Sequence, residues 1–192
     1  MAHVGIVYDS GYGHTAALAR AVGEGAASVD QATARLYFAE DAAAAPELLD
    51  SCDAMIFGSP TYMGSASASF KSFMERTSGL WASQRWQGRL AAGFTSSGGY
   101  SGDKLNTLVQ LNLFAMQHGM IWVGLGLLDG NNASYKSEEN LNRLGSYIGA
   151  MAQTNTDQGI EGILDSDLAT AYSLGSRVAR AACIWNHKEM NR

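Results

Sequence analysis

Two prolines and two cysteines in 192 residues leave little of the chemistry that small disulfide-bonded or metal-bound domains depend on. Cys52 and Cys183 stand far apart, and no Cys-x-x-Cys pair occurs. That pattern excludes a disulfide framework, points away from zinc and iron–sulfur sites, and fits a reducing compartment. Basic residues are also scarce. Thirteen Lys and Arg against eighteen Asp and Glu give a net charge of −5, and the thirteen are scattered, so no nucleic-acid partner is expected. No run approaches the roughly 18 apolar residues that a membrane-spanning helix needs. The start, Met1-Ala2-His3-Val4-Gly5, leads straight into a strand pattern rather than a signal segment. The expectation is a cytoplasmic chain without a membrane span, folded as a single domain over residues 1–192.

What the chain does have is apolar material (46%), enough for one full core, and 22 glycines. Apolar runs alternate with helical patterns. Val4–Tyr8 reads as a buried strand, followed by a helix over Ala16–Ala27 that buries Leu18 and Val22 and leaves Arg20 and Glu24 outside. Ala32–Phe38 alternates more and suits a strand nearer an edge. Asp41–Leu49 looks helical if Pro46 can start the helix. Asp53–Gly58, Arg89–Ser96 and Met120–Gly126 complete a set of five strands, with a helix over Asp103–Gln117 that presents Leu105, Leu108, Val109, Asn112 and Met116. Beyond Gly126 the pattern lapses through 129–140 and 145–162. A last helix then shares Leu168, Ala171, Tyr172, Gly175, Val178, Ala179 and Ala182 on one face. Five strand–helix alternations with right-handed crossovers make an α/β, doubly wound sheet of five parallel strands with helices on both faces.

Three loops rich in glycine and hydroxyls follow the first, third and fourth strands, and so meet at one carboxyl edge of the sheet. In the first, Ser10 and Thr15 and the backbone N–H groups of Gly11, Tyr12, Gly13, His14 and Thr15 form a neutral nest at a helix N-terminus, suited to one phosphate. It contains no Lys or Arg, and neither Gly-x-x-x-x-Gly-Lys-Ser/Thr nor Gly-x-Gly-x-x-Gly is present. The alternative is an ordinary turn with Ser10 as a helix cap. Pro60-Thr61-Tyr62-Met63-Gly64 offers amides and a flat ring to the edge of a planar heterocycle. Ser96, Ser97, Gly98 and Gly99 approach from the other side. Each loop alone also reads as a polar turn; their convergence is what points to a site.

Ser10-Gly11-Tyr12-Gly13-His14-Thr15, Gly58-Ser59-Pro60-Thr61-Tyr62-Met63-Gly64, Thr77-Ser78-Gly79-Leu80-Trp81 and Gln117-His118-Gly119-Met120 together resemble the WrbA-type NAD(P)H:quinone oxidoreductases, FMN-binding members of the flavodoxin-like superfamily. The likeness covers about residues 3–126. It implies a flavodoxin-like strand order of 2-1-3-4-5 and non-covalent FMN. Ser10–Thr15 then hold the phosphate, Pro60–Gly64 and Ser96–Ser101 (Tyr100 and Ser101 included) bracket the ring and ribityl, and Tyr12 sits near the NAD(P)H site. It further implies that Trp81 forms a quinone and nicotinamide pocket over the ring, lent by a neighbouring subunit of a homotetramer, with Gln117 and His118 as further pocket residues. FMN carries the chemistry, and no side chain is assigned as acid or base.

The chain departs from that pattern at Asp9, a carboxylate expected to turn away from a phosphate; at the pair Tyr62-Met63; at Gln117, which cannot take a charge; and over Leu127–Asp167. Plain structural roles stand beside the functional ones: His14 as a helix cap, His118 as a partner of a helix C-terminal dipole, His187 as a solvated tail residue, and Trp81 and Trp86 as core or interface aromatics. Four functions remain open: hydride transfer from NAD(P)H through FMN to a quinone, a flavodoxin-type electron carrier, an FMN reductase that releases reduced flavin, and a flavin-binding regulator without turnover.

Overall fold

A computed structural model describes the backbone of residues 1–189 and the side chains of residues 1–186, so the side chain of His187 lies outside it. The sheet begins with β1 (Ala2–Tyr8), β2 (Ala32–Phe38), β3 (Ala54–Tyr62), the short β4 (Ser65–Ala66) and β5 (Leu90–Ser97). It is finished by β6 (Ile121–Trp122) and β7 (Ala150–Gln153). The helices are α1 (His14–Ala27), α2 (Ala39–Ala44), α3 (Ala68–Arg76), α4 (Ser78–Ala82), α5 (Lys104–Gln117) and α6 (Asp165–Glu189). Among the described residues, no helix is long and apolar enough to cross a membrane.

The strand order is β2-β1-β3-β5-β6, parallel throughout, as the flavodoxin-like reading requires. The number of strands is larger than five, because the fifth position is shared by two. β6 pairs only with Leu90 and Ala91 at the beginning of β5, whereas β7 pairs with Phe94 to Ser97 at its end. Between them the chain leaves the sheet over residues 123–149. The strand expected over Met120–Gly126 is thus cut to two residues. Its other half comes from a segment whose small and polar residues carried no legible period. The additional β4 folds back antiparallel on β3.

Central strands bury both faces, so successive residues serve opposite layers. Ile6, Ile56 and Ala92 face α1 and α6, while Val7, Phe57 and Ala91 face α2, α3 and α5. The α1–α6 layer is dense because the helices touch through glycines. A Cβ at Gly25 would collide with the Tyr172 carbonyl, and one at Gly175 with that of Val22. The opposite layer is aromatic, with Phe57, Phe70, Phe73, Phe114 and Trp86 in edge-to-face contacts.

Two helical expectations shift. The segment Asp41–Leu49 is not one helix: α2 ends at Ala44, and Pro46 starts a separate 3-10 turn over Pro46–Ser51, because proline has no N–H to continue the ladder. On α5 the buried stripe is Thr107, Leu108, Leu111, Phe114 and Ala115, while Leu105, Val109 and Met116 face outward. The expected face was rotated, since Leu105, Val109, Leu113 and Met116 are themselves spaced like a buried stripe.

Candidate functional site: a cavity at the carboxyl edge of the sheet

The turn from β1 into α1 is built around Ser10. Its Oγ accepts the N–H groups of Gly13 and Ala16, both at 3.1 Å. Gly13 takes φ +91° as the residue before the helix, a conformation that a side chain would strain. The first helical hydrogen bond runs from Ala17 N–H to the Gly13 carbonyl, so the N–H groups of His14 and Thr15 have no acceptor within the helix. The N-cap is thus Gly13 rather than Ser10, but Ser10, three residues before it, meets the Ala16 N–H, and the N–H groups of His14 and Thr15 remain open beside it.

The three loops do converge. Thr15 Oγ1 lies 2.9 Å from Ser96 Oγ, which ties the first loop to the third. Thr61 Oγ1 bonds Thr95 and Thr107 hydroxyls, each at 2.8 Å, which fixes the second loop to β5 and α5. Together they enclose a cavity of about 310 Å³, at the low end of the ~300–1,000 Å³ typical of small-molecule sites. Ser10, Gly11, Tyr12, His14 and Thr15 line it from the first loop, Pro60, Thr61 and Tyr62 from the second, and Ser96, Ser97 and Gly98 from the third. The remaining candidates stand off its wall. Gly13 and Gly99 do not line it. Met63 and Gly64 make the two-residue turn between β3 and β4, with φ of +49° and +79°. Met63 is wholly exposed, and the Asn106 amide donates to the Gly64 carbonyl at 2.6 Å. Tyr100 and Ser101 line a separate hollow with Leu105, Val109 and Tyr147.

Two lining residues were not anticipated. Thr154 and Thr156 follow β7 and line the cavity as well. Thr154 Oγ1 is buried and has no hydrogen-bond partner among the described residues. His14 is a strut rather than a helix cap: its Nε2 lies 3.0 Å from the Gln158 carbonyl and 3.1 Å from that of Gly159.

Asp9 turns away from the cavity. It is 7% exposed, and its carboxylate accepts the Ser67 hydroxyl at 2.6 Å, at the N-terminus of α3. Tyr62 folds back over Gly11, where a Cβ would collide with its hydroxyl. Burial, followed by the neighbouring Tyr12 and Asp9, raises the Tyr62 phenol above its ordinary pKa, so it stays neutral.

Charge beside the cavity has a source that lies outside the loops. Lys104, first residue of α5, is fully buried and donates to Ser97 Oγ at 2.7 Å and to the Gly99 carbonyl at 2.6 Å. Burial lowers its pKa to about 8. Next to it, Arg143 and Asp167 form a buried two-point ion pair at 2.9 and 2.8 Å. Gln153 joins this pair to the third loop. Its N–H donates to Asp167, its carbonyl accepts from Arg143, and its amide donates to the Gly98 carbonyl.

Trp81, Gln117 and His118 come together, but elsewhere. They share a hollow of about 320 Å³ with Thr77 and Ser78. It lies at the amino edge of the sheet, since Ile121, just beyond His118, pairs with the first residue of β5. His118 is 1% exposed, stacks on Trp86 at 4.5 Å and lies 3.0 Å from Thr77 Oγ1 through Nε2. Burial pushes its pKa down to about 4, so at neutral pH it is uncharged. The expected interaction of a cationic His118 with the helix dipole does not apply.

Comparison with known proteins supplies the family. Residues 13–132 match the family of NADPH-dependent FMN reductases. Flavodoxin FldP of Pseudomonas aeruginosa is 41% identical over 176 residues, 91% of this chain and 94% of that protein. The likeness therefore runs well into Leu127–Asp167, the segment set apart on sequence grounds. An NAD(P)H dehydrogenase (quinone) of Archaeoglobus fulgidus is 40% identical over 139 residues, 72% of this chain and 64% of that protein. Among solved structures, the flavodoxin, WrbA-like protein from Agrobacterium tumefaciens has a TM-score of 0.74 at 39% identity, covering 96% of this chain and 99% of that one. The chain belongs to the NADPH-dependent FMN reductase family, among its flavodoxin-like, WrbA-type oxidoreductases, which bind FMN and draw electrons from NAD(P)H.

Proposed function

We propose that the protein is an FMN-dependent NAD(P)H:quinone oxidoreductase and that the carboxyl-edge cavity holds the FMN. The observation that carries this is the unmet hydrogen-bonding capacity of its wall. The N–H groups of His14 and Thr15, at the cavity wall, have no acceptor among the described residues, and Thr154 Oγ1 is buried without a partner. A ligand with several acceptor oxygens fits that wall. A phosphate ester on a hydroxylated chain is such a ligand.

In this reading Ser10 to Thr15 bind the phosphate through backbone N–H groups and the helix dipole, with no cation in the loop. Pro60, Thr61 and Tyr62 stand on one side of the ring, and Ser96, Ser97 and Gly98 on the other. Bound FMN supplies the hydride chemistry; the protein's residues bind it, orient it and exclude water. Asp9 keeps its charge away by bonding Ser67. Tyr62 stays neutral, with its phenol proton in place. Trp81, Gln117 and His118 are at the far edge, so within one chain they cannot reach the cavity; they serve a quinone site only across a contact between copies, as in a homotetramer.

The test is the visible spectrum of protein purified with FMN. Bands of bound flavin should bleach anaerobically on NAD(P)H and return on adding a quinone, turning over steadily without a protein partner. Absence of bound flavin after FMN is supplied in excess would remove the assignment. A second reading, a flavodoxin-type electron carrier, is supported by the near full-length likeness to a flavodoxin. It predicts no steady quinone reduction with NAD(P)H unless a reductase is added. An FMN reductase that releases its product would lose flavin on gel filtration, and a regulator would show no turnover above free FMN.

A further inference from the structure

Lys104 is the buried charge that the flavin reading leaves unused. It opens α5, its side chain has no exposed surface, and two of its N–H donors bond the third loop, at Ser97 Oγ and the Gly99 carbonyl. Ser97 lines the cavity, so the ammonium lies one hydrogen bond behind the wall. Both of its partners are neutral.

The charged groups nearby do not balance it. Arg143, in the segment between β6 and β7, and Asp167, at the start of α6, neutralise each other through their two-point pair, with both side chains 2% exposed. Asp167 favours the charged lysine and Arg143 opposes it, while burial outweighs both. With Lys104 protonated, the interior behind the third loop therefore carries one net positive charge. An isolated buried cation is costly to the fold, and a Met or Gln would fill the same space without it. A compensating negative charge in the cavity explains why it is tolerated.

The position within the loop says which negative charge. Ser96 bonds Thr15 at the start of α1, where the phosphate nest lies; Lys104 instead holds Ser97 and Gly99, further along the loop, and neither of them bonds that helix. Hydride transfer from NAD(P)H brings two electrons and one proton to the flavin and leaves NAD(P)⁺. The ring thereby gains one negative charge until a second proton arrives.

We propose that Lys104 is a positioning residue that holds the third loop and, through Ser97, favours the negatively charged reduced form of bound FMN over the oxidised form. The proposal rests on the flavin reading above.

Three variants and two binding measurements test it. K104M removes charge and hydrogen bonds, K104Q keeps a neutral donor, and K104R keeps the charge. Dissociation constants for oxidised FMN and riboflavin are measured for each, with the midpoint potential of bound FMN at pH 7. In K104M and K104Q the equilibrium for two-electron reduction should fall at least tenfold, about 30 mV for a two-electron couple. Oxidised FMN should still bind within about threefold, and K104R should recover most of the loss. An unchanged potential with FMN bound overturns the proposal. So does a loss of FMN affinity that spares riboflavin, which would assign Lys104 to the phosphate. If the neutral variants do not fold, the wild-type side-chain ¹⁵N resonance of Lys104 decides. Its titration midpoint should rise by at least one pH unit when reduced FMN binds, and no rise overturns the proposal. A wild-type protein that binds no FMN removes the flavin reading and this proposal with it, whereas bound FMN with an unshifted potential in the variants removes the proposal alone.

Discussion

The two edges of the sheet solve opposite problems. At the carboxyl edge, the hydroxyl-rich loops after β1, β3, β5 and β7 leave some polar groups unmet, above all Thr154 Oγ1, just after β7, and the N–H groups of His14 and Thr15. At the amino edge, the polar group is sealed in: His118 is uncharged between Trp86 and Phe114, with Thr77 as its partner and the half-exposed Trp81 outside. The first edge is open to a ligand, whereas the second buries its histidine among aromatics, with Nε2 partnered by Thr77 and Nδ1 without a partner among the described residues. A mutation at the carboxyl edge should therefore change the binding of FMN, while one in the sealed amino edge should change stability and leave FMN affinity alone.

The largest effect expected is on the buried Arg143–Asp167 pair, which braces the carboxyl edge from behind. Arg143→Ala leaves Asp167 charged and unpaired inside, at a cost of about 3–5 kcal/mol in urea unfolding, with loss of FMN binding as Gln153 and the third loop are released. Full stability of that variant would mean that the brace is ornamental.

Next comes pH, which acts on the sealed edge. The His118 pKa is lowered from 6.5 to about 4 in the fold, so between those values the unfolded chain binds a proton that the folded chain refuses. Stability should be unaffected above pH 6.5 and fall as pH drops toward 4, by up to about 3 kcal/mol. A His118→Phe variant should lose that part of the slope. If its denaturation midpoints track the wild type over pH 4–6.5, the histidine is not the group responsible.

Thr154→Val separates ligand from fold most sharply. It replaces an unpartnered buried hydroxyl by a methyl, so the FMN-free protein should be as stable as wild type or up to about 1 kcal/mol more so, while FMN binding weakens about tenfold. Equal losses in both would show that the hydroxyl is met within the protein.

Smallest is Trp81→Ala. A half-exposed side chain at the rim of the hollow that holds His118 should cost about 1 kcal/mol or less, and FMN affinity should not move. Quinone KM should rise only if copies of the chain associate, and light scattering on the same samples checks that.

The sequence was informative where local chemistry is sufficient. Hydroxyls and glycines directly after apolar runs located the three loops, and the strand order followed from the flavodoxin-like resemblance. Asp9 was flagged because a carboxylate beside Ser10 is unfavourable for a phosphate; its partner Ser67, 58 positions away, could be found only in three dimensions. Thr154 and Thr156 escaped because β7 has four residues and no period of its own. Its place is set by pairing with β5, a property of the partner. Lys104 was not singled out, since nothing local reveals that α5 turns it inward. The α5 face was misread for the same reason: Leu105, Val109 and Met116 have core spacing but no layer above them.

The split fifth position of the sheet also sets an order of events. A chain emerging from its N-terminus presents the first three loops by residue 101, yet the strand that seats Thr154 and Thr156 arrives after a 27-residue excursion, and Asp167 later still. Pairings this distant in sequence form late, because loop closure must precede them. FMN should thus recognise only the finished molecule, and by mass action it would draw the last, slow pairing forward without lending support to any partly folded chain.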